Sequence, residues 1–344
     1  MIFLGDIACP PNKVDAFNSC IGAFDIFKDE VVILNLEATI SDDELCLNDT
    51  TLINSSHVLD GFSKSKKIIV SLANNHMYDY PDRILPTIDF LNKKNIGVFG
   101  LCDHDGSFKP YEYRDDKGNQ FAFFGHCWRL YTNTNRNTLN SIRIVDVDYH
   151  KFIQVVTEYI RTNPQTQVYC FMHWNYDMEK YPFPMHIKIA HQLIENGVAG
   201  VIGSHSHRPQ AAEIYKGKPI VYGLGNFYLP SGVFFSGNLT YPNCCKETYA
   251  LKIDSSEFHI QWFITDDNQQ NDPIVIGECE SFAGPKISSL SESLKLNFQK
   301  YISFFTKNRV KKLLVPVFTH YYGTLFRMKE AFAITRVKIL RLIK

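Results

Sequence analysis

Short apolar runs that stop at polar, metal-capable residues recur through the first two thirds of this chain. Met1-Ile2-Phe3-Leu4 runs into Gly5-Asp6, Val31 to Leu34 into Asn35-Leu36-Glu37, and Ile68 to Ala73 into Asn74-Asn75-His76. Val168 to Met172 leads to His173, and Val201-Ile202-Gly203 to Ser204-His205-Ser206-His207. Runs this short, rich in β-branched residues, read as buried strands. Between them, Arg83 to Lys94 and Ile187 to Asn196 carry apolar residues at helical spacing, and Gly197 stops the second. Phe121 to Gly125 and Ile142 to Val147 read as further strands, and Pro219 to Phe227 as a strand and turn. From Thr248 to Ile276 three short β-runs follow one another, which predicts antiparallel pairing, and Ser288 to Lys307 reads as one helix. Alternating strands and helices followed by a strand-rich stretch predict an α/β chain with helices packed outside two sheets.

Composition adds little until it is split along the chain. The 344 residues are 45% hydrophobic and 21% charged, ordinary for a globular protein. The net charge of zero hides an asymmetry. Residues 307–344 hold ten Lys/Arg against Glu330 alone, a net +9, which leaves 26 Lys/Arg against 35 Asp/Glu, a net −9, in the rest. Nine cysteines without C-x-x-C spacing read as reduced thiols that fill the core. Met1 enters a strand directly, with no basic segment and apolar core of a secretory signal, and no apolar stretch reaches the ~20 residues that span a bilayer. The expectation is a cytoplasmic protein, with the tail as a candidate contact at the inner face of the membrane. Leu325, Met328, Phe332, Ile339 and Ile343 form an apolar stripe beside Lys329 and Arg336, which suits an anionic surface or an ordinary helical face. No nucleic-acid motif is present, and nucleic acid is not an expected partner.

A lone strand-end carboxylate is ordinarily a cap or turn residue. Five strand ends each carrying a donor are a different matter. Asp6, Glu37, Asn75, His173, His205 and His207 make a mixed oxygen and nitrogen set. Such a set suits one or two divalent ions of Mn, Fe or Zn better than Ca or Mg, which prefer oxygen alone. Glu37 is the candidate bridge between two ions. A pair of ions would clamp an anionic ester and lower the pKa of a bound water. His76 is the candidate proton donor to a leaving oxygen.

The set Gly5-Asp6, Asn35-Leu36-Glu37-Ala38-Thr39, Leu72-Ala73-Asn74-Asn75-His76, His173-Trp174, Gly203-Ser204-His205-Ser206-His207 and Leu224-Gly225-Asn226-Phe227 resembles, in order and spacing, the CapA or PgsA-like family of capsule and poly-γ-glutamate biosynthesis. The resemblance covers residues 1–230. It implies a branch of the calcineurin-like metallophosphoesterases, hence a four-layer sandwich of two mixed β-sheets flanked by helices. It would assign Asp6, Glu37 and His207 to one metal, and Glu37, Asn75, His173 and His205 to the other. His76 would be the general acid and Asp79 its orienting partner. Asn74, Trp174 and Asn226 are the candidate substrate contacts.

This chain departs from the pattern in named places. The family's D-x-H has Ala8 at its third position, so one donor is missing. Its H-W-G-x-E reads His173-Trp174-Asn175-Tyr176-Asp177, and His186 stands where a glutamine is usual. The expected organisation is a metallophosphoesterase-fold domain at 1–285 and a basic helical extension at 286–344. The expected function is a metal-dependent, phosphoesterase-like hydrolase of surface-polymer synthesis, acting on the polymer or its phosphorylated precursor and working with a synthase complex. The competing expectation is a non-catalytic subunit that keeps the fold and binds polymer or synthase.

Overall fold

The computed structural model describes residues 1–42, 51–130, 132, 142–254, 257–265, 273–307 and 316–342. Its first sheet runs β16 (Ile274–Ser281), β15 (Glu257–Thr265), β14 (Glu247–Asp254), β1 (Ile2–Ile7), β2 (Val31–Leu36), β3 (Lys67–Ser71) and β4 (Gly97–Phe99). A short strand, β13 (Asn226–Tyr228), also pairs with β1. The second sheet runs β11 (Ala212–Tyr215), β12 (Lys218–Val221), β10 (Gly200–Ser204), β9 (Thr166–His173), β7 (Gln120–Cys127) and β6 (Tyr111–Arg114). A small pair, β5 (Leu101–Asp103) with β8 (Ile142–Ile144), stands apart from both.

The first sheet is parallel from β1 to β4 and antiparallel from β1 out to β16, and the second is parallel at its centre and antiparallel at both edges. The apolar runs explain why. β1 and β2 are buried at every residue, as strands covered on both faces must be. Phe3, Ile33, Ile69, Phe123, Phe171 and Trp262 fill the layer between the sheets. The outer face of the first sheet packs on α1 (Val14–Gly22) and α2 (Ile84–Lys93). The outer face of the second packs on α3 (Tyr149–Thr162) and α4 (Pro184–Glu195). This is the four-layer sandwich of two mixed sheets that the sequence predicts.

Beyond the sheets lie α5 (Pro285–Ser291), α6 (Phe298–Lys307) and α7 (Thr324–Leu342). The single helix expected over 288–307 is broken. Leu296 is extended, and the Asn297 side chain accepts a hydrogen bond from Lys300 N at 2.9 Å, so a new helix is capped there. Tyr301, Phe305, Phe318 and Phe326 join the core cluster of α3 and α4. Glu330 on α7 is buried and takes a two-pronged ion pair from Arg129, which follows β7. On the outer side of α7, Leu325, Met328, Phe332 and Ile339 are exposed, the first two above 60%. Ile343 and residues 308–315 of the basic tail lie outside the described residues.

Parallel register aligns the polar ends of the strands. Asp6 pairs with both Asn35 and Asn226, and Asn35 pairs with Ser71. In the second sheet Ser204 pairs with His173. Two glycines let the backbones close in behind these ends. A Cβ on Gly5 would lie 1.9 Å from Gly225 O, and one on Gly203 would lie 2.0 Å from Tyr222 O. The two rows of strand ends meet where His205 N donates to Asp6 Oδ2 at 3.1 Å. Crevices at the carboxyl ends of parallel strands are where α/β folds put their chemistry.

Candidate metal centre

Asp6 and Glu37 are fully buried, one within β1 and one just past β2. The amide of Asn35 donates to both, to Asp6 Oδ1 at 2.8 Å and to Glu37 Oε2 at 2.5 Å. The other Glu37 oxygen, Oε1, has no hydrogen-bond partner. It faces His173 Nε2 at 3.6 Å and His76 Nε2 at 3.9 Å. Burial pushes the Asp6 carboxyl up, against the pull of His207 and Asn35. Burial, and then the neighbouring Asp6, push the Glu37 carboxyl well up. Two buried carboxylates with one orphaned oxygen are an environment that calls for a cation.

Three of the imidazoles are held through Nδ1. His173 Nδ1 is hydrogen-bonded to the Ser204 hydroxyl at 2.9 Å, and its Nε2 lies 2.9 Å from Asn75 Oδ1. His207 Nδ1 bonds Asn226 Oδ1 at 2.9 Å and lies 3.9 Å from Asp6 Oδ2. His76 Nδ1 bonds Asp79 Oδ2 at 2.7 Å, while its Nε2 faces Glu37. Partners of this kind fix tautomer and ring angle for ligation or proton transfer. His205 and His207 both have positive φ, +81° and +57°, a conformation that costs a non-glycine residue ~1–2 kcal/mol. Such strain persists where the surroundings over-determine it.

The electrostatics sort these groups by role. Burial holds His173 well below the usual histidine range, helped by His205, His207 and His76. Burial likewise brings His205 down to about 3, against the pull of Asp177. Both are neutral at pH 7, as ligands must be. For His76, burial opposes the charge, but Asp79 and then Glu37 outweigh it and raise the pKa to about 9. It carries its proton at neutral pH, as a general acid requires.

Glu37, His173 and His205 each offer a ligand atom within 4.8 Å of the others, and so do Asp177, His205 and His207. The residues therefore fit a metal centre, by the orphaned oxygen, the neutral imidazoles and the donor chemistry alike. All six expected donors, Asp6, Glu37, Asn75, His173, His205 and His207, are brought to this one end of the sandwich. The candidate substrate contacts are not presented as such. Asn74 is fully buried; its carbonyl accepts from Ala38 N and Met77 N at 3.2 Å each, and its amide donates to Leu36 O at 2.8 Å. Trp174 is fully buried because the side-chain space beside Gly203 is empty. Its indole N–H reaches Tyr222 O at 2.8 Å and its ring stacks on His186 at 4.6 Å. Asn226 is 3% exposed and orients His207.

Three residues belong here that sequence reasoning gave no role. Asn35 bridges the carboxylates, Asp177 Oδ1 lies 3.1 Å from His205 Nε2, and the Tyr241 ring lies 5.3 Å from that of His207. A signal existed for the first two, since both sit inside motifs next to named donors. Tyr241 had none, because only tertiary folding brings its loop back. Ala8, the missing donor, is fully buried in an apolar cluster with Ala38, Leu52, Leu229 and Phe234.

The fold and site thus define an α/β sandwich protein with a buried carboxylate–amide–imidazole cluster at its strand ends that could hold a metal ion. The profile of the family described as bacterial capsule synthesis protein PGA_cap matches residues 4–231, and the chain belongs to that family. It is 44% identical over 55 residues to the probable polyglutamine synthesis accessory protein of Mycobacterium tuberculosis, covering 16% of this chain and 14% of that protein. It is 24% identical over 167 residues to the capsule biosynthesis protein CapA of Bacillus anthracis, covering 48% and 40%. These matches span less than half the length of either relative. A 5'-nucleotidase structure from Staphylococcus aureus aligns with a TM-score of 0.41 at 13% identity, over 86% of this chain and 57% of that one.

Proposed function

We propose that this chain is a metal-dependent, phosphoesterase-like hydrolase of capsule or surface-polymer biosynthesis. Its substrate class is a polysaccharide or poly-γ-glutamate polymer, or the phosphorylated precursor of one. The observation that carries the reading is the meeting of Glu37, His173 and His205 with a protonated His76 on the same face. Asp6, Glu37, Asn75, His173, His205 and His207 would hold one or two ions of Mn, Fe or Zn. Bound ions supply Lewis acidity and activate water for attack on an anionic ester. The chain's own residues do the rest. Asn35 holds the two carboxylates apart and oriented, Asp79 keeps His76 protonated, and His76 Nε2 delivers that proton to the leaving oxygen.

The names of the relatives support the polymer context, and the Mycobacterium protein's name supports work beside a synthase. The exposed stripe of α7, flanked by Arg327 and Lys329, supports a peripheral contact with the inner, anionic face of the membrane. No helix among the described residues is long and apolar enough to cross a bilayer. One observation favours a second reading, a polymer- or synthase-binding subunit without catalysis: Ala8 and its apolar surroundings withhold a donor. Turnover of p-nitrophenyl phosphate by the Mn- or Zn-loaded protein, abolished in His205→Ala, is the result expected of the hydrolase. A protein that takes up metal but leaves every phosphoester and polymer intact would turn the case to the subunit.

A further inference from the structure

We infer that Asp177 is a direct ligand of the metal centre, binding with His205 and His207 and offsetting the donor that Ala8 does not provide. This rests on the metal-centre reading above and extends it to a residue outside the expected set. One carboxylate oxygen of Asp177 lies 3.1 Å from His205 Nε2 and shares a 4.8 Å ligand neighbourhood with His205 and His207.

The loop that carries Asp177 is built to hold it there. Asn175 and Met178, on either side, have φ of +77° and +62°, so the chain reverses tightly after β9. Asn175 fixes the reversal by donating its amide to Tyr181 O at 3.0 Å and accepting from Tyr176 N at 2.9 Å. Met178 N then donates to Ser206 O at 3.0 Å, which clips the loop onto the residue between the two histidines. Left-handed residues thus stand on both sides of one contact, and strain of this kind collects at ligand clamps.

The carboxylate is 44% exposed, while His205 and His207 are 2% and 7% exposed as side chains. Asp177 therefore approaches from the solvent side and Asp6 and Glu37 from the interior. Three carboxylates against two divalent ions leave the centre with one positive charge, which favours an anionic ester. An Asp177 that merely oriented His205 would act through a hydrogen bond alone, and the two roles differ in what they do to metal affinity. Outer partners of metal ligands change affinity about 10–100-fold when removed, so a true ligand must exceed that.

The test uses the full chain, metal-stripped and dialysed against graded MnCl₂ or ZnCl₂, with bound metal measured by mass spectrometry and the Mn form by electron paramagnetic resonance. Wild type is expected to bind two ions and show an exchange-coupled Mn pair. Asp177→Ala and Asp177→Asn are expected to keep one ion and lose the other, with affinity down more than about 100-fold and the coupled signal gone. Unfolding curves of both variants, altered at a half-exposed position, check that the fold is intact. Two ions retained in both variants, with affinity within about 100-fold of wild type, would overturn the inference and leave Asp177 an orienting residue. A wild-type protein that binds no ion would instead sink the metal-centre reading itself.

Discussion

Replacing Asn35 by leucine, its near-isostere, asks whether the centre is pre-organised from within. The Asn35 amide donates to Asp6 Oδ1 at 2.8 Å and Glu37 Oε2 at 2.5 Å, and its carbonyl accepts from Asn74 at 3.2 Å. A hydrogen bond to a charged group contributes about 1.5–3 kcal/mol, so the two together favour the ionised carboxylates by roughly 3–6 kcal/mol. A bound metal requires both groups ionised. Without metal, burial pushes both carboxyls up, and a proton can replace the amide as their partner. The loss should therefore fall on metal affinity more than on the stability of the metal-free chain. Relaxation and water entry return part of it, which brings the expectation toward the ~10–100-fold seen for outer partners, and to its upper end because two ligands are released at once. Calorimetric titration of metal-stripped Asn35→Leu with Mn or Zn at pH 7.5 measures this, with urea unfolding of the metal-free form alongside. Affinity within about threefold of wild type would refute the view that Asn35 organises the carboxylates.

The proton on His76 should depend on Asp79: in metal-free Asp79→Asn, histidine NMR titration should move His76 from about 9 to below the ordinary ~6.5, since burial then acts with less opposition. A His76 still titrating near 9 would assign its proton to another group, and phosphoester turnover should drop ~10²–10⁴-fold with the loss. His126 is buried and neutral, brought down to about 4 by burial against its Val147 O hydrogen bond. The unfolded chain then binds the extra proton between about 6.5 and 4, so stability falls as pH falls through that window, by about 2 kcal/mol at pH 5. Asp6 and Glu37, with raised carboxyls, act in the opposite sense, so the wild-type minus His126→Gln difference in urea stability between pH 7.5 and 5 isolates the histidine; equal pH slopes would contradict this. Gly5→Ala puts a Cβ 1.9 Å from Gly225 O and strains the 3.1 Å Asp6 N to Gly225 O bond beside it. It should cost ~3 kcal/mol or more in urea unfolding and weaken metal binding. Wild-type stability would mean that β1 and the Gly225 turn separate without cost.

What the sequence could show of this molecule follows from which contacts are local. The strands at whose ends Glu37, His173 and His205 appear are continuous apolar runs; parallel register aligns the ends within each sheet, and packing of the two sheets brings the two rows together. A pattern read along the chain therefore anticipated both sheets and the gathering of donors. The break at Asn297 was missed because the apolar positions on both sides continue at helical spacing, and one side-chain cap decides the outcome. Helix α3 was missed although its sequence carries both signals, the Asp148 cap at Lys151 N and an apolar face of Tyr149, Phe152, Ile153 and Val156 at helical spacing. The site shows the same division. Side chains that the motif exposes as donors converge, whereas those that hold them, Asn35, Ser204, Asn74 and Asn226, are ordinary polar residues whose meaning is a partner on another strand. Trp174 shows how far such a partner changes a role. Beside His173 in sequence it looks presented to substrate, yet Gly203 on the next strand opens the space that draws it inward. Asp177 is the reverse case: in the motif it is only an acidic residue in the loop after His173, and two left-handed backbones and one hydrogen bond to Ser206 bring it beside His205. In this chain a donor's identity is local, but its aim depends on neighbouring strands. Substitutions at the neighbours should therefore alter metal affinity while leaving every donor in place.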